Sequence, residues 1–249
     1  MGFWHQKLVL YFLSIFSELD RQPKILFYPM NKFICLTTVR ECRVLTPTGW
    51  IAMLMGFGFV MVLVILFVHP FLAPTKPIHG DILVVEGWLP DYALKKVKGY
   101  FQKGGYKLLV TTGGRIRTGS FVSKHETWAE LASSSLNELG VSQKKIIAVP
   151  GLLNIKKDRT YHAALAVKKR LYTEGLNDTS IDIVSLGTHA RRSWFLFRDV
   201  FSTVNVGVIS ISPNDYDVSQ WWFFSEGVRS VVSESIAYFY ARFIFSSPT

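Results

Sequence analysis

Residues 50–72, WIAMLMGFGFVMVLVILFVHPFL, contain no Lys, Arg, Asp or Glu, whereas every other long stretch of the chain is punctuated by charge. A helix needs about 20 predominantly apolar residues to cross the roughly 30 Å hydrocarbon core of a bilayer. A soluble core helix of that length would have to be covered on all sides, so the run reads as one transmembrane helix and binds the lipid bilayer through residues 50–72. A cleaved signal sequence fits poorly, because the run is longer than an h-region and ends in His69, Pro70 and Pro74 instead of a small-x-small site.

Lys32, Arg40 and Arg43 shortly precede the span and Lys76 alone shortly follows it. The positive-inside rule then expects a cytoplasmic N-terminus, a single pass and a C-terminal domain on the far side. The net charge of +10 divides into +3 before the span (six basic, three acidic) and +7 after it (22 basic, 15 acidic). Such a balance suits anionic headgroups or a small anionic ligand. The basic residues form no stripe with interleaved aromatics and no nucleic-acid module is recognisable, so no nucleic-acid partner is expected. Cys35 and Cys42 both precede the span, which leaves no disulfide framework for the larger part.

Residues 1–49 read as an N-terminal cytoplasmic or interfacial segment. Its apolar stretch at 8–16 is too short to span, and Pro23, Pro29 and Pro47 interrupt the residues between that stretch and the span. Residues 73–80 form a Pro-rich linker that ends in Gly80, and residues 81–249 form the domain. There short apolar runs (DILVVE, KLLVTT, KIIAVP, IDIVSLG, VGVISIS) alternate with amphipathic helices expected near residues 90–103, 124–139, 159–172 and 189–201. A further helix is expected at 226–245. This alternation predicts an α/β fold, a Rossmann-like three-layer sandwich with a mostly parallel five-stranded sheet.

Ligands of such sheets lie beyond the carboxyl ends of the strands, where helix N-termini present free amides. After the second run, Gly113 and Gly114 allow a tight turn or an amide nest, Arg115 and Arg117 come next, and Ser123 with Glu126 has capping-box spacing around Lys124 and His125. After the third, Asp158 stands as cap before Arg159 and Thr160; after the fourth, Thr188 precedes His189, Arg191 and Arg192. A cation in a first helical turn opposes the macrodipole by about 0.3–1 kcal/mol, and a bound anion reverses that sign. Three junctions repeating cap-then-cation therefore point to a phosphate or carboxylate ligand. Arg191 and Arg192 lie about 100° apart, so only one faces the crevice.

Each residue also has a plain structural explanation. Lys124 and Arg117 read as solvated cations, His162 and His189 as satisfied core histidines, Glu126 as half of a capping box, Thr160 as back-bonded, and the glycine pair as a turn. Glu86 and Asp91, the first and last residues of EGWLPD, are candidates for general base or metal ligand, although Asp91 equally suits a first helical turn. Trp221 and Trp222 read as core, with the membrane interface as the alternative. The chain carries no H-E-x-x-H, C-x-x-C, P-loop or G-x-S-x-G signature, so no metal site or cofactor is assigned.

On Gly113 and Gly114 after the second run, Glu126 opening the next helix, Arg159–Thr160, and His189 followed by Arg192, the region from Asp81 to Phe201 resembles the ElyC/SanA/YdcF family of bacterial envelope-associated proteins. Thr160, Tyr161, His162 and Ala163 stand where that family usually has Thr-x-Glu-Asn, and EGW replaces its usual small glycine-rich turn. The resemblance implies a membrane-anchored Rossmann-like domain of the bacterial inner membrane, linked to peptidoglycan or lipid-carrier metabolism. The expectation is an envelope protein that binds a phosphorylated small molecule or lipid carrier through Gly113, Gly114, Arg115, Arg159, Thr160, His189, Arg191 and Arg192. Were it an enzyme, Glu86, Glu126 and His189 would carry phosphoester or pyrophosphate chemistry. A non-catalytic scaffold or sensor, or a nucleotide or S-adenosylmethionine binder, are the alternatives.

Overall fold

The structure, a computed structural model, describes residues 43–117, 119, 122–151 and 157–246. The apolar stretch at 8–16, both cysteines, Lys32 and Arg40 lie outside the described residues. The apolar run forms helix α1 (Pro47–Leu72), long and apolar enough to cross a membrane.

Five strands come after it: β1 (Ile82–Glu86), β2 (Leu108–Gly113), β3 (Ile146–Pro150), β4 (Ile181–Leu186) and β5 (Val206–Ile211). They are joined by α2 (Asp91–Lys103), α3 (Trp128–Glu138), α4 (Arg159–Thr173) and α5 (Ala190–Val200), and α6 (Ser225–Phe239) closes the chain with a π-helical turn at Tyr240–Ile244. All strand pairs are parallel, in the order β3-β2-β1-β4-β5. This is the expected α/β sandwich.

The period of two in β1 assigns its side chains to the two faces. Ile82 and Val84 join Tyr161, Val167 and Leu171 of α4 and Leu196 and Phe197 of α5, while Leu83 and Val85 join Ala93, Val97 and Phe101 of α2 and Leu136 of α3. Both faces of β1 are buried, as expected of a central parallel strand. The chain crosses back from β3 to place β4 on the free side of β1, so strand order reverses between β1 and β4. That reversal opens a crevice at their carboxyl ends.

One helix start differs from expectation. The Ser123 side chain bonds the N–H and carbonyl of His125, and the capping box is formed four residues later by Thr127 and Glu130. The cause is tertiary: Arg115 bridges Thr127 in antiparallel fashion, with Ile116 N–H donating to Glu126 O and Trp128 N–H to Gly114 O. The pairing keeps residues 123–127 out of the helix.

The last turns of α1 belong to the same compact unit as the sheet. Leu72, Ile65 and Val68 pack with Tyr216, Trp221, Val231 and Tyr238, and Trp221 Nε1 donates to Ile65 O at 3.1 Å. Asp182, fully buried on β4, fastens the linker by accepting from Ile78 N, Gly80 N and the Tyr106 hydroxyl.

Candidate functional site

The carboxyl ends of β1, β2 and β3 and the turn after β4 border a cavity of about 560 Å³. Glu86, the last residue of β1, is 5% exposed at its inner end. Both of its oxygens are occupied: Ser185 Oγ donates to Oε2 at 2.5 Å, and Ser193 Oγ to Oε1 at 2.8 Å. His189 Nε2 lies 3.3 Å from the same Oε1.

His189 closes a 3₁₀ turn, Gly187–His189, that carries the chain from β4 into α5. Its Nδ1 is 2.9 Å from Glu234 Oε1, a carboxylate projecting from the middle of α6. A carboxylate can only accept, so Nδ1 carries a proton. Arg192, one turn into α5, clamps the same carboxylate with Nε to Oε2 at 2.9 Å and Nη2 to Oε1 at 3.0 Å. Its Nη1 donates to Thr160 Oγ1 at 3.3 Å, tying α4 into the group. Nη2 also comes within 2.9 Å of His189 Nδ1, but two protonated nitrogens cannot bond each other, and both direct their hydrogens to Glu234. The rings of Trp88 and His189 meet edge to face at 5.1 Å between centroids.

Electrostatics are set by this sandwich. Burial works against a charged imidazole and so does Arg192, yet the charge of Glu86 and the hydrogen bonds to Glu234 and Glu86 outweigh both and raise His189 to about 9. Burial likewise opposes ionisation of Glu234, but His189 and Arg192 hold it down at about 2. Glu86 is also lowered against its burial, by the His189 charge and the hydrogen bonds from His189, Ser185 and Ser193. At neutral pH the group is two carboxylates around an imidazolium and a guanidinium. Fully engaged and depressed in pKa, Glu86 is a weak base, so its geometry orients and charges His189 instead of activating water.

The remaining expected residues divide. Arg115 and Arg159 line the cavity, both exposed, and among the described residues neither guanidinium has an ion-pair or hydrogen-bond partner. Thr160 lines it too, committed to Arg192. Arg191 points the other way, with its guanidinium 4.2 Å from the Phe71 ring centroid and its Nε donating to Phe71 O. Glu126 is exposed and is not among the residues bordering the cavity.

The expected caps are not formed. Thr188 bonds Ser230 of α6 at 2.7 Å, and Asp158 sits at the N-cap of α4 in the left-handed region (φ 52°) without a side-chain cap hydrogen bond. Gly113 and Gly114 border the cavity but make no left-handed turn. Gly113 is needed for close approach, since a Cβ there would come within 2.8 Å of Trp128 Cβ, where α3 passes over the end of β2. Gly113 O instead accepts from Gly151 N–H, linking the ends of β2 and β3.

Glu234, Ser185, Ser193 and Trp88 belong to the site although the sequence pattern does not single them out. Glu234 carries one signal, as an acid in helical spacing with Gly227, Ser230, Val231 and Tyr238, the face turned to the domain. Asp91 is exposed at the first turn of α2. Among the described residues no cluster of three or more His, Cys, Asp or Glu is arranged to hold a metal ion. Set beside known protein families, curated proteins and solved structures, the chain matches none of them.

Proposed function

We propose that this domain binds a phosphorylated ligand in the cavity at the sheet's carboxyl edge, as part of a membrane-anchored protein of the bacterial envelope related to the ElyC/SanA/YdcF family. The observation that carries the reading is a difference in charge satisfaction. The inner end is neutralised by Glu86 and Glu234, whereas Arg115 and Arg159 at the same cavity have no partner among the described residues. In all, five cations (Arg115, Arg117, Arg159, Arg192 and protonated His189) border it against three carboxylates, Glu86, Asp158 and Glu234. Arginine offers a phosphate a bidentate fork, and Arg159 opens α4, where the macrodipole adds to the attraction. The polar rim and aromatic walls of Trp88 and Trp128 suit a phosphate carried on a larger group.

Should the bound ester be hydrolysed, water forms the new P–O bond as the ester P–O bond breaks, the leaving oxygen takes the proton of His189 Nε2, cationic at neutral pH, and the proton lost by the water restores His189. Glu86 and Glu234 hold it in place. The orientation read from Lys32, Arg40 and Arg43 puts this chemistry outside the cytoplasm, on a carrier lipid or a cell-wall precursor. A reporter fused after Thr249 that is active only in the cytoplasm reverses that assignment.

The test is the melting temperature of the full chain in detergent against phosphate, pyrophosphate, nucleotides, sugar nucleotides and short polyprenyl phosphates. A ligand of the native state raises it as its concentration passes Kd. The expected result is a rise with at least one of these compounds in the wild type that is lost in Arg159→Ala and Arg115→Ala. No rise with any of them, in folded protein, overturns the proposal.

A further inference from the structure

We propose that α6 is a second membrane contact, an interfacial helix that seats the domain on the bilayer through its outer face; this rests on the reading of α1 as a membrane span. The inner face of α6 faces the domain through Ser230, Val231, Glu234 and Tyr238. At about 100° per residue, Val228, Val232, Ile236 and Phe239 fall within an arc of about 80°, centred about 160° from Glu234. All are large, apolar and open: Val232 is 50% exposed, Ile236 66% and Phe239 56%. Phe243, 66% exposed, extends the stripe into the π-helical turn, and Phe223 and Phe224, also exposed, precede the helix. No Asp, Glu, Lys or Arg lies within the stripe. Arg229 and Arg242 flank it, the latter over the rings of Phe195 and Phe243.

A contiguous apolar stripe on a water-facing helix marks a surface that something covers. The occupant is fixed by position. The inner face of α6 packs on the last turns of α1: Val231 and Tyr238 share a cluster with Ile65, Val68 and Leu72, and the Phe71 and Tyr238 rings meet edge to face at 5.6 Å. Trp221 Nε1 bonds Ile65 O, seven residues before the end of α1, about 10 Å down its axis at 1.5 Å per residue. Trp221 and Trp222 therefore sit alongside the apolar run of α1 itself, at the level where Trp anchors at membrane interfaces. An apolar face with Arg at its borders, joined to a span at that level, matches a helix lying in the headgroup plane. Glu234, on the opposite side of the same helix, is then about one helix diameter from the lipid, which brings the cavity to molecules carried in the membrane.

The test uses the full chain with Cys35 and Cys42 replaced by serine. One cysteine at a time, at Ile236, Met55 or Lys103, carries an environment-sensitive fluorophore. The protein is reconstituted in vesicles of phosphatidylethanolamine and phosphatidylglycerol, with and without brominated acyl chains. Loss of fluorescence in brominated lipid is expected at Met55, within α1, and at Ile236, but not at exposed Lys103 on α2. Quenching at Met55 with none at Ile236 overturns the seating of α6 and leaves the span standing; a blue-shifted but unquenched Ile236 label counts the same way, because protein and not lipid then covers the stripe. Absence of quenching at Met55 removes the span and this proposal with it.

Discussion

At the junction after β4, His189 and Arg192 meet two carboxylates of their own chain; at those after β2 and β3, Arg115 and Arg159 meet none among the described residues. The first is costly to build, because four ionisable groups lose much of their water and are stabilised only by one another. The second costs little, because exposed guanidiniums keep their hydration. The two therefore differ in what they answer to: the inner group to folding and pH, the outer pair, on the proposed function, to an anionic ligand. Removing groups from each should separate these responses.

The largest effect is expected at Glu86. Glu86→Ala leaves an imidazolium and two serine hydroxyls facing a hole, and breaking a buried pair from one side typically costs about 3–5 kcal/mol. Glu234→Ala should cost a similar amount, since it strands His189 and Arg192 together. Denaturant unfolding of the full chain in detergent reads both. A loss below about 1 kcal/mol for either would mean that water already screens the group and the contrast with the outer pair is false.

Next comes a pH effect. His189 is raised from 6.5 to about 9 in the folded protein, so its contribution is complete below pH 6.5 and disappears as pH climbs through 9. Glu234 is depressed from 4.5 to about 2, so its contribution is complete above pH 4.5 and is lost as pH falls through 2. The group stabilises most between pH 4.5 and 6.5 and weakens above, by an amount on the order of 3 kcal/mol at about 1.4 kcal/mol per pH unit. In His189→Gln the decline between pH 6.5 and 9 should flatten; an unchanged slope would place the titration elsewhere.

The layout of the fold is readable in the sequence because both faces of the sheet must be covered, which writes itself into alternating apolar runs and amphipathic helices. The helix start at α3 is not, because Ser123 with Glu126 and Thr127 with Glu130 have the same spacing, and only the bridge between Arg115 and Thr127 chooses between them. Local pattern cannot express that choice. His189 and Arg192 can be found, standing at a strand-to-helix junction where any sheet of this kind exposes its ligand crevice, and the 100° step separates Arg192 from Arg191. Glu234 cannot, since its meaning depends on α6 folding back over a junction 45 residues earlier. Read without that contact, the cations of the β4 junction call for an external anion that the chain in fact supplies.

The mistaken cap sets up a smaller prediction. Thr127→Ala removes the side chain that accepts from Glu130 N–H and should cost about 1 kcal/mol, while Glu126→Ala, exposed and not bordering the cavity, should stay within about 0.5 kcal/mol of wild type. Equal losses would show that residues 123–127 share the capping between them.

The smallest effect on folding carries the sharpest sign. Arg159 occupies the first position of α4, exposed and unpaired among the described residues, with Asp158 beside it in a left-handed conformation. In the absence of ligand it opposes the helix macrodipole, so Arg159→Ala should stabilise the protein by about 0.3–1 kcal/mol at low ionic strength, and less in high salt. With a ligand that raises the wild-type melting temperature, the order should invert, because the bound anion turns the same macrodipole and guanidinium into attractions that the alanine variant has lost. Arg192→Ala offers no such inversion: its guanidinium already holds Glu234, so the variant is weaker with or without ligand. Melting curves of wild type, Arg159→Ala and Arg192→Ala, each with and without the ligand, decide it. An Arg159→Ala variant that stays above wild type at saturating ligand would mean that the anion does not reach the start of α4, and the outer pair would then be no more than a solvated rim.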